Sequence, residues 1–363
     1  MCTHAGHLSA PARAVWAKSW PMHGAELRFW SPLWQHLHDA AGIAGRLWDE
    51  WLPPSVTRQI AQAAGGEPGG RALVCFLAGV HDIGKATPAF AVQVPALRDE
   101  MVQAGLGMPL VLAARATCKH GLAGQVILEA WLEARAGWTR PQARAFASVV
   151  GGHHGIPPSD GEAQAARAPT AANEELLGGA AWRDVQAELL DHMAGRVGAS
   201  SYLDGEAWRT LPRPVLALAL AVVVVADWLA SNQDLFPLVD VEGDRRPLAQ
   251  PDGDDDARLD AAWRGVALPA PWSPSQVEGA AAELLRARFD LPPSASARPV
   301  QEAAVAAARA MDPAGILVIE APMGRARRRP RCSLRRSWLG AAGPVVWWSR
   351  SRRRRRRTPC SAG

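Results

Sequence analysis

Paired cysteines, a secretion signal and a long apolar run are all missing from this 363-residue sequence. The cysteines are scattered and form no C-x-x-C pair, which argues for a reducing compartment and against a disulfide scaffold or a cysteine zinc site. The N-terminus lacks the charged-then-apolar pattern of a signal peptide. We therefore expect a cytoplasmic protein. The five scattered cysteines are Cys2, Cys75, Cys118, Cys332 and Cys360.

No apolar stretch is long enough to cross a membrane. The longest one runs from Val215 to Ala226, which is 12 residues, and then meets Asp227. A membrane-spanning helix needs about 20 apolar residues, so this run predicts a buried core helix and no membrane partner.

Acidic residues are absent from residues 325–363, which hold 14 arginines and no lysine. Because the whole chain carries +5 and this tail contributes 14 positive charges, residues 1–324 carry a net charge of −9. The high isoelectric point, near 9.3, is therefore a property of the tail. It does not indicate a nucleic-acid-binding surface over the whole protein.

Strand patterns are nearly absent before residue 290, whereas helical periodicity is frequent, so we predict an all-α body. Ser31-Pro32 predicts a helix start, with serine as the cap, and Pro53-Pro54 predicts its end. Residues 1–30 are predicted to be irregular and the glycine-rich residues 65–70 to form a loop. The predicted helices are 33–51, 71–80, 120–135, 141–151, 173–193, 202–231, 275–289 and 301–311.

The composition changes after residue 237, where aspartates and prolines predict a solvated connector. Further on, the predicted helix 301–311 is followed by the apolar run Ile316–Ile319 and a glycine turn. This order is typical of the beginning of an α/β domain. We expect four parts in the chain. They are a helical domain at 1–240, a connector at 241–296, an incomplete α/β start at 297–324 and an arginine-rich tail at 325–363.

The strongest local pattern is "GVHDIGKATPAF" at residues 79–90. Here His81 and Asp82 stand side by side at the end of an apolar helix and offer an imidazole nitrogen and a carboxylate from one rigid point. A carboxylate has two oxygens, so it can bridge two metal ions. A structural pair without metal is the alternative interpretation of these two residues alone.

Other candidate ligands occur upstream and downstream of this pair. His36 and Asp39 are three residues apart on the first long helix and are expected to share a face. His120 precedes another helix, although an ordinary core or surface histidine would look the same.

Two further sites complete the pattern. His153 and His154 lie between glycines that mark a helix end, where both rings can converge on one cavity. Asp227 lies inside the long apolar helix, where a carboxylate is unfavourable unless it is paired or bound to metal, and a polar contact to a neighbouring helix is the alternative. No special role is expected for His4, His7, His23, His38 or His192.

Together, the order H…HD…H…HH…D within one helical domain resembles the HD superfamily of metal-dependent phosphohydrolases. It is most similar to the N-terminal HD nuclease domain of the CRISPR-associated helicase–nuclease of type I systems. The resemblance covers roughly residues 12–324, and "ADWLASN" suggests the I-E subtype. The matching stretches are VWAKSW (15–20), SPLWQHLHDAAGIAGRLW (31–48), HDIGKATPAF (81–90), VGGHHGIPP (150–158), ADWLASNQDLFP (226–237), LPAPWSP (268–274) and ARPVQEAAVAAA (297–308).

This resemblance implies two divalent metal ions. The implied ligands of the first are His36, His81, Asp82 and Asp227, and those of the second are Asp82, His120, His153 and His154. Asp82 and Lys85 are the implied catalytic residues, with Lys85 near the scissile phosphate. Imidazole-rich sites suit Mn, Fe, Co or Ni better than Mg alone, although Mg stays open. Two ions about 4 Å apart can activate water and stabilise charge on a phosphodiester.

The resemblance also implies a substrate and a partner. In that family a helicase threads single-stranded DNA into the nuclease, and a Cascade surveillance complex recruits the enzyme.

Two rival functions stay open. One is a phosphohydrolase of nucleotides or cyclic nucleotides, against which the helicase-like stretch at 297–324 argues. The other is an inactive remnant that binds DNA through its basic tail.

A phosphate-binding loop is expected after "IEAPMG", but its motif is absent at this position. The Gly-Lys-Thr of that loop is replaced by "RARRRP" directly after Gly324, so we expect no ATP binding and no ATP-driven unwinding. A frameshift in the gene or its reading is the favoured explanation, because the composition changes abruptly inside a motif. A genuine basic arm and an unrelated solvated tail are the alternatives.

Overall fold

Helices dominate the structure, which is a computed structural model and describes residues 8–20, 27–240, 255–268, 279–289, 291–310 and 317–319. These residues form 16 α-helices, numbered here in chain order. They are α1 Ala10–Ala14, α2 Leu33–Arg46, α3 Pro54–Ala64, α4 Glu67–Val80, α5 Pro88–Ala91, α6 Pro95–Gln103, α7 His120–Ala136, α8 Arg140–Gly151, α9 Asp160–Arg167, α10 Ala171–Leu177, α11 Ala180–Arg196, α12 Ser200–Asp204, α13 Arg213–Ala230, α14 Asp255–Gly265, α15 Ala281–Phe289 and α16 Pro299–Ala310.

The chain divides into two compact units, residues 1–267 and 268–363. In the first unit, α2, α4 and α13 pack against one another, and α7 packs along α8. Large aromatic side chains fill the interior beside α4, where Phe76 lies near Trp131, Phe146 and Trp208. In the second unit α15 packs on α16, whose buried side includes Val305.

A small three-stranded sheet is present, although the helical periodicity predicts an all-α body. Its strands are β1 Trp16–Trp20, β2 Phe29–Pro32 and β3 Val239–Asp240, all antiparallel in the order β1-β2-β3. The register of β1 on β2 shifts between Trp16 and Lys18, which places a bulge at Ala17. Residues 1–30 are therefore not irregular where they are described.

Several predicted helix boundaries were wrong. Ser31 does not cap α2, because it lies in β2, and Pro32 takes the cap position instead. Residues 65–70 are not all loop, since α4 begins at Glu67 with a proline in its first turn. The predicted helix 173–193 is broken by Gly178 and Gly179, and 202–231 is broken before α13.

The connector expected after residue 237 contains α14, which is packed rather than solvated. Ala262 on this helix is buried, and Arg258 bonds to Asp39 on α2. The predicted strand at Ile316–Ile319 is not found in its described part, because Leu317–Ile319 have no regular structure. Gly324 and the arginine-rich tail lie outside the described residues.

One described helix, α13, is long and apolar enough to cross a membrane by length and composition. It packs on α2, α3, α4 and α8, and it carries Asp227 at a buried position. The core helix of a globular domain passes the same test, and these contacts account for its apolar sequence.

Candidate metal centre

The His81–Asp82 pair lies where α4 ends. Every residue of α4 from Ala72 to Val80 is buried, so the helix delivers the pair into the interior of the first unit. His81 is fully buried and Asp82 is 2% exposed. A short 3-10 turn, Ile83–Lys85, follows directly and is also buried.

One oxygen of Asp82 faces the first group of ligand candidates. Its Oδ2 lies 3.1 Å from Nε2 of His36 and 3.3 Å from Nε2 of His81. The same two nitrogens lie 3.6 and 3.3 Å from Oδ1 of Asp227 on α13. These four residues are all buried, and their ligand atoms lie within 4.8 Å of one another.

The other oxygen of Asp82 faces the second group. Its Oδ1 lies 3.5 Å from Nε2 of both His120 and His153. Nε2 of His154 lies 2.7 Å from Nε2 of His120, so the three imidazoles form a second compact cluster. Asp82 therefore stands between the two clusters, with one oxygen toward each.

The rings of His81 and His153 are oriented so that Nε2 of each can bind a metal ion. Nδ1 of His81 donates to the carbonyl oxygen of Ala78 at 2.7 Å, and Nδ1 of His153 donates to that of Val150 at 2.6 Å. These bonds fix Nε2 as the unprotonated ligand atom in the neutral ring. The buried Nε2 atoms of His36, His81 and His153 have no partner with hydrogen-bond geometry. Such buried nitrogens beside carboxylates fit divalent transition metals.

Glycine makes the close approach of these elements possible. A Cβ on Gly84 would meet the carbonyl oxygen of His120 and, at 2.5 Å, the backbone nitrogen of Gly124. The turn after Asp82 can therefore touch the first turn of α7 only because residue 84 has no side chain. This contact brings His120 to the carboxylate, which explains the glycine in the HDIGK stretch.

Three of the histidines are held neutral. Burial lowers the pKa of His120 to about 4. Burial also lowers the pKa of His36, with the positive charge of Lys18 adding to the effect, and it lowers the pKa of His154 beside His153. Neutral imidazole is the form that binds metal, so these rings need not lose a proton first.

His81 behaves differently. Although burial opposes its protonation, the nearby carboxylates of Asp82 and Asp227 raise the pKa of His81 to about 9. Burial also opposes ionisation of Asp82, but Lys85 and His81 hold the pKa of Asp82 well below its usual range. Burial likewise opposes ionisation of Asp227, but the nearby imidazoles of His36 and His81 hold its pKa well below the usual range, so both carboxyl groups of the centre are ionised at neutral pH.

Two lysines border the carboxylates, and only Lys85 is predicted from the sequence. Lys85 Nζ lies 2.7 Å from Oδ2 of Asp82 and donates to the carbonyl oxygen of Ala17 at 3.1 Å. Lys18, on β1, donates to the carbonyl oxygen of Ala230 at 3.2 Å. Burial and the nearby charge of Lys85 lower the pKa of Lys18 to about 8. Only three lysines occur among the 40 basic residues of the chain, and two of them are here.

Asp39 does not join His36, contrary to prediction. Its carboxylate accepts bonds from Arg258 at 3.1 Å and from Gln35 at 3.2 Å. Residues three apart on a helix differ by about 60° in direction. That angle turns Asp39 toward α14, where a pocket of about 700 Å³ opens on the other side of α2.

The remaining histidines lie away from the clusters or outside the described residues. His38 and His192 stack with their rings 5.0 Å apart, and their Nε2 atoms are 2.8 Å apart. His4, His7 and His23 lie outside the described residues.

A helical body that gathers five histidines and two aspartates in this order has the architecture of the HD class. Residues 16–236 match the family described as "Cas3, HD domain". The chain therefore belongs to the Cas3 HD-domain family.

Relatives and a solved structure agree with this placement. The chain is 29% identical over 248 residues to "CRISPR-associated nuclease/helicase Cas3" of Streptococcus thermophilus, covering 62% of this chain and 25% of the relative. It is 32% identical over 232 residues to "CRISPR-associated endonuclease/helicase Cas3" of Thermus thermophilus, covering 62% and 23%. The chain thus spans about a quarter of the length of these relatives. A crystal structure described as that of a CRISPR-associated protein superposes with a TM-score of 0.58 at 28% identity, covering 92% of this chain and 35% of the other.

Proposed function

We propose that this chain is a two-metal phosphodiesterase that hydrolyses single-stranded DNA in type I, subtype I-E, CRISPR interference. The observation that carries the proposal is the position of Asp82, whose two oxygens face two separate histidine clusters at 3.1 to 3.5 Å. A bridging carboxylate between two nitrogen-rich sites is the arrangement that two-metal hydrolysis requires.

The residues that would hold the ions follow from the clusters. His36, His81 and Asp227 would hold the first, His120, His153 and His154 the second, and Asp82 both. Their donor set favours Mn, Fe, Co or Ni over Mg. When bound, such a pair of ions polarises the phosphodiester and lowers the pKa of water.

The surrounding residues have separate tasks. The carbonyls of Ala78 and Val150 hold the rings of His81 and His153 in the ligand orientation. Lys85 places an ammonium at the edge of the carboxylates, where it can neutralise a non-bridging phosphate oxygen as negative charge builds up. His154 is exposed, so the second cluster opens to solvent and to a substrate strand.

The substrate and partner are proposed from the relatives' names. Both relatives are called nuclease or endonuclease together with helicase, and CRISPR-associated. For this chain we propose cleavage of a single strand delivered after recruitment by a Cascade-type complex in the cytoplasm. We propose no ATP-driven unwinding by these 363 residues, because arginines follow Gly324 where Gly-Lys-Thr is needed.

The test is a comparison of substrates with the metal-loaded chain. Rates are measured on circular single-stranded DNA, linear single-stranded DNA, duplex DNA and a set of nucleotides and cyclic nucleotides. We expect cleavage of both single-stranded DNAs, and cleavage of the circle marks endonuclease activity. Faster turnover of nucleotides would reject the proposal in favour of a nucleotide phosphohydrolase, and no hydrolysis at all would favour a DNA-binding remnant.

A further inference from the structure

Aromatic side chains of this chain lie exposed beside the metal centre. Eight large apolar side chains of the described residues are more than a third exposed, and three of them are aromatic. Trp20 is 53% exposed, Phe29 36% and Trp228 70%. Tryptophan is usually largely buried, so the exposure of Trp20 and Trp228 needs an explanation.

The first two rings share a face of the sheet with Lys18. Trp20 is two residues from Lys18 on β1, and residues two apart on a strand point to the same side. Phe29 pairs directly with Trp20 across the two strands, so its side chain lies on that side as well. Lys18, Trp20 and Phe29 therefore lie on one side of the sheet, where the two rings are exposed and Lys18 is half-buried.

The third ring belongs to the same region. Trp228 directly follows Asp227 on α13, and the step of about 100° between helical neighbours turns it out of the buried side. The lysine of the sheet surface joins this helix, because Lys18 Nζ donates to the carbonyl oxygen of Ala230, two residues after Trp228. The sheet face and the last turn of α13 thus meet at Lys18.

We propose that Trp20, Phe29 and Trp228 stack unpaired bases of the substrate strand, while Lys18 contacts its backbone phosphate. This inference rests on the proposed function and extends it to the residues that select a single strand. Only an unpaired strand can offer base faces to protein rings, because the faces in a duplex are already stacked. Lys18 lies between this surface and the carboxylates, so a strand held by the rings would lead its phosphates toward Asp82.

The test uses the full chain, in which Trp20→Ala and Trp228→Ala are introduced singly and together. Binding to a fluorescent 20-mer of thymidylate and to the same backbone without bases is measured in EDTA at 0.3 M salt, which weakens phosphate contacts of the arginine tail. Each substitution should weaken thymidylate binding about tenfold and leave binding to the abasic strand unchanged. Trp228→Phe should restore most of the affinity, and Val111→Ala, at another exposed apolar side chain, should have no effect.

Cleavage of metal-loaded protein separates this inference from the proposed function. The variants should raise KM for single-stranded DNA and keep kcat and the hydrolysis of bis-p-nitrophenyl phosphate, which needs no base contact. Unchanged thymidylate binding in both variants would overturn the inference. The exposed rings would then be assigned to contact with a protein partner. An equal loss on the abasic strand would also overturn it. A wild-type chain that hydrolyses the small ester but not DNA would instead reject the proposed substrate, whatever the variants bind.

Discussion

Lys85 and Asp82 share a contact that sets the electrostatics of the centre: Nζ lies 2.7 Å from Oδ2, the oxygen that also faces His36 and His81. An ammonium and a metal ion at the same oxygen repel each other. Lys85 therefore disfavours metal binding, and its benefit must come from the substrate, whose phosphate carries the opposite charge.

Replacing this lysine should separate metal binding from turnover. Lys85→Met is expected to bind metal at least as tightly as the wild type and to lose about 10²- to 10³-fold in kcat, as for a lost transition-state contact. Calorimetric titration with Mn²⁺ and single-turnover cleavage measure the two effects. Arg58→Met, at an exposed arginine of α3, is the charge-matched control and should change neither. Weaker metal binding in Lys85→Met would contradict this account.

Metal binding should release a proton, and its pH dependence follows from His81. The pKa of His81 is raised to about 9, so this ring is protonated at pH 7 and must become neutral before it can bind metal. Apparent metal affinity should therefore rise with pH up to about 9 and level off above it. Calorimetry at pH 7.5 in buffers of different ionisation enthalpy should count about one proton released per first-site ion. A count of zero would show that His81 is already neutral.

Gly84 should not tolerate a side chain. Gly84→Ala places a methyl group on the backbone of His120 and Gly124, and the backbone cannot move aside as a side chain can. We expect a loss of about 3 kcal/mol or more in the free energy of unfolding, the upper end for overpacking. Gly195→Ala, in the last turn of α11 with open space around it, should be neutral or stabilising by up to about 1 kcal/mol. Urea unfolding compares the two, and similar stabilities would refute the close packing.

Asp39 should matter for stability and not for metal. Asp39→Ala leaves the partly buried Arg258 without its carboxylate, which is expected to cost about 1–3 kcal/mol in unfolding free energy. Its metal content should equal that of the wild type. His36→Ala, one turn earlier on the same helix, should lose one ion. A loss of metal in Asp39→Ala would show that Asp39 is a metal ligand after all.

Much of the site could be predicted because its chemistry is local in the sequence. Glycines around His153 and His154 marked the helix end, and an aspartate inside the apolar α13 marked Asp227. The structure places both beside the His81–Asp82 pair. Their role as ligands stays a prediction.

The residues that were missed depend on contacts distant in sequence. Lys18 lies within the matching stretch VWAKSW, but its strand belongs to a sheet completed by β3, more than 200 residues later, so the stretch alone does not place Lys18 beside the carboxylates. Asp39 has helical spacing to His36, but Arg258 of α14 decides where it points. The start of α4 was hidden by Gly69 and Gly70, which allow close packing on Tyr202 and Trp48 rather than forming a loop.

The bridging position of Asp82 is tested by counting bound metal with mass spectrometry on the stripped and reloaded chain and its variants. We expect two ions in the wild type and one each in Asp227→Ala and His154→Ala. We expect none retained in Asp82→Ala, with circular dichroism like that of the wild type. One ion in the wild type, or loss of only one ion in Asp82→Ala, would contradict a carboxylate that joins two metal sites.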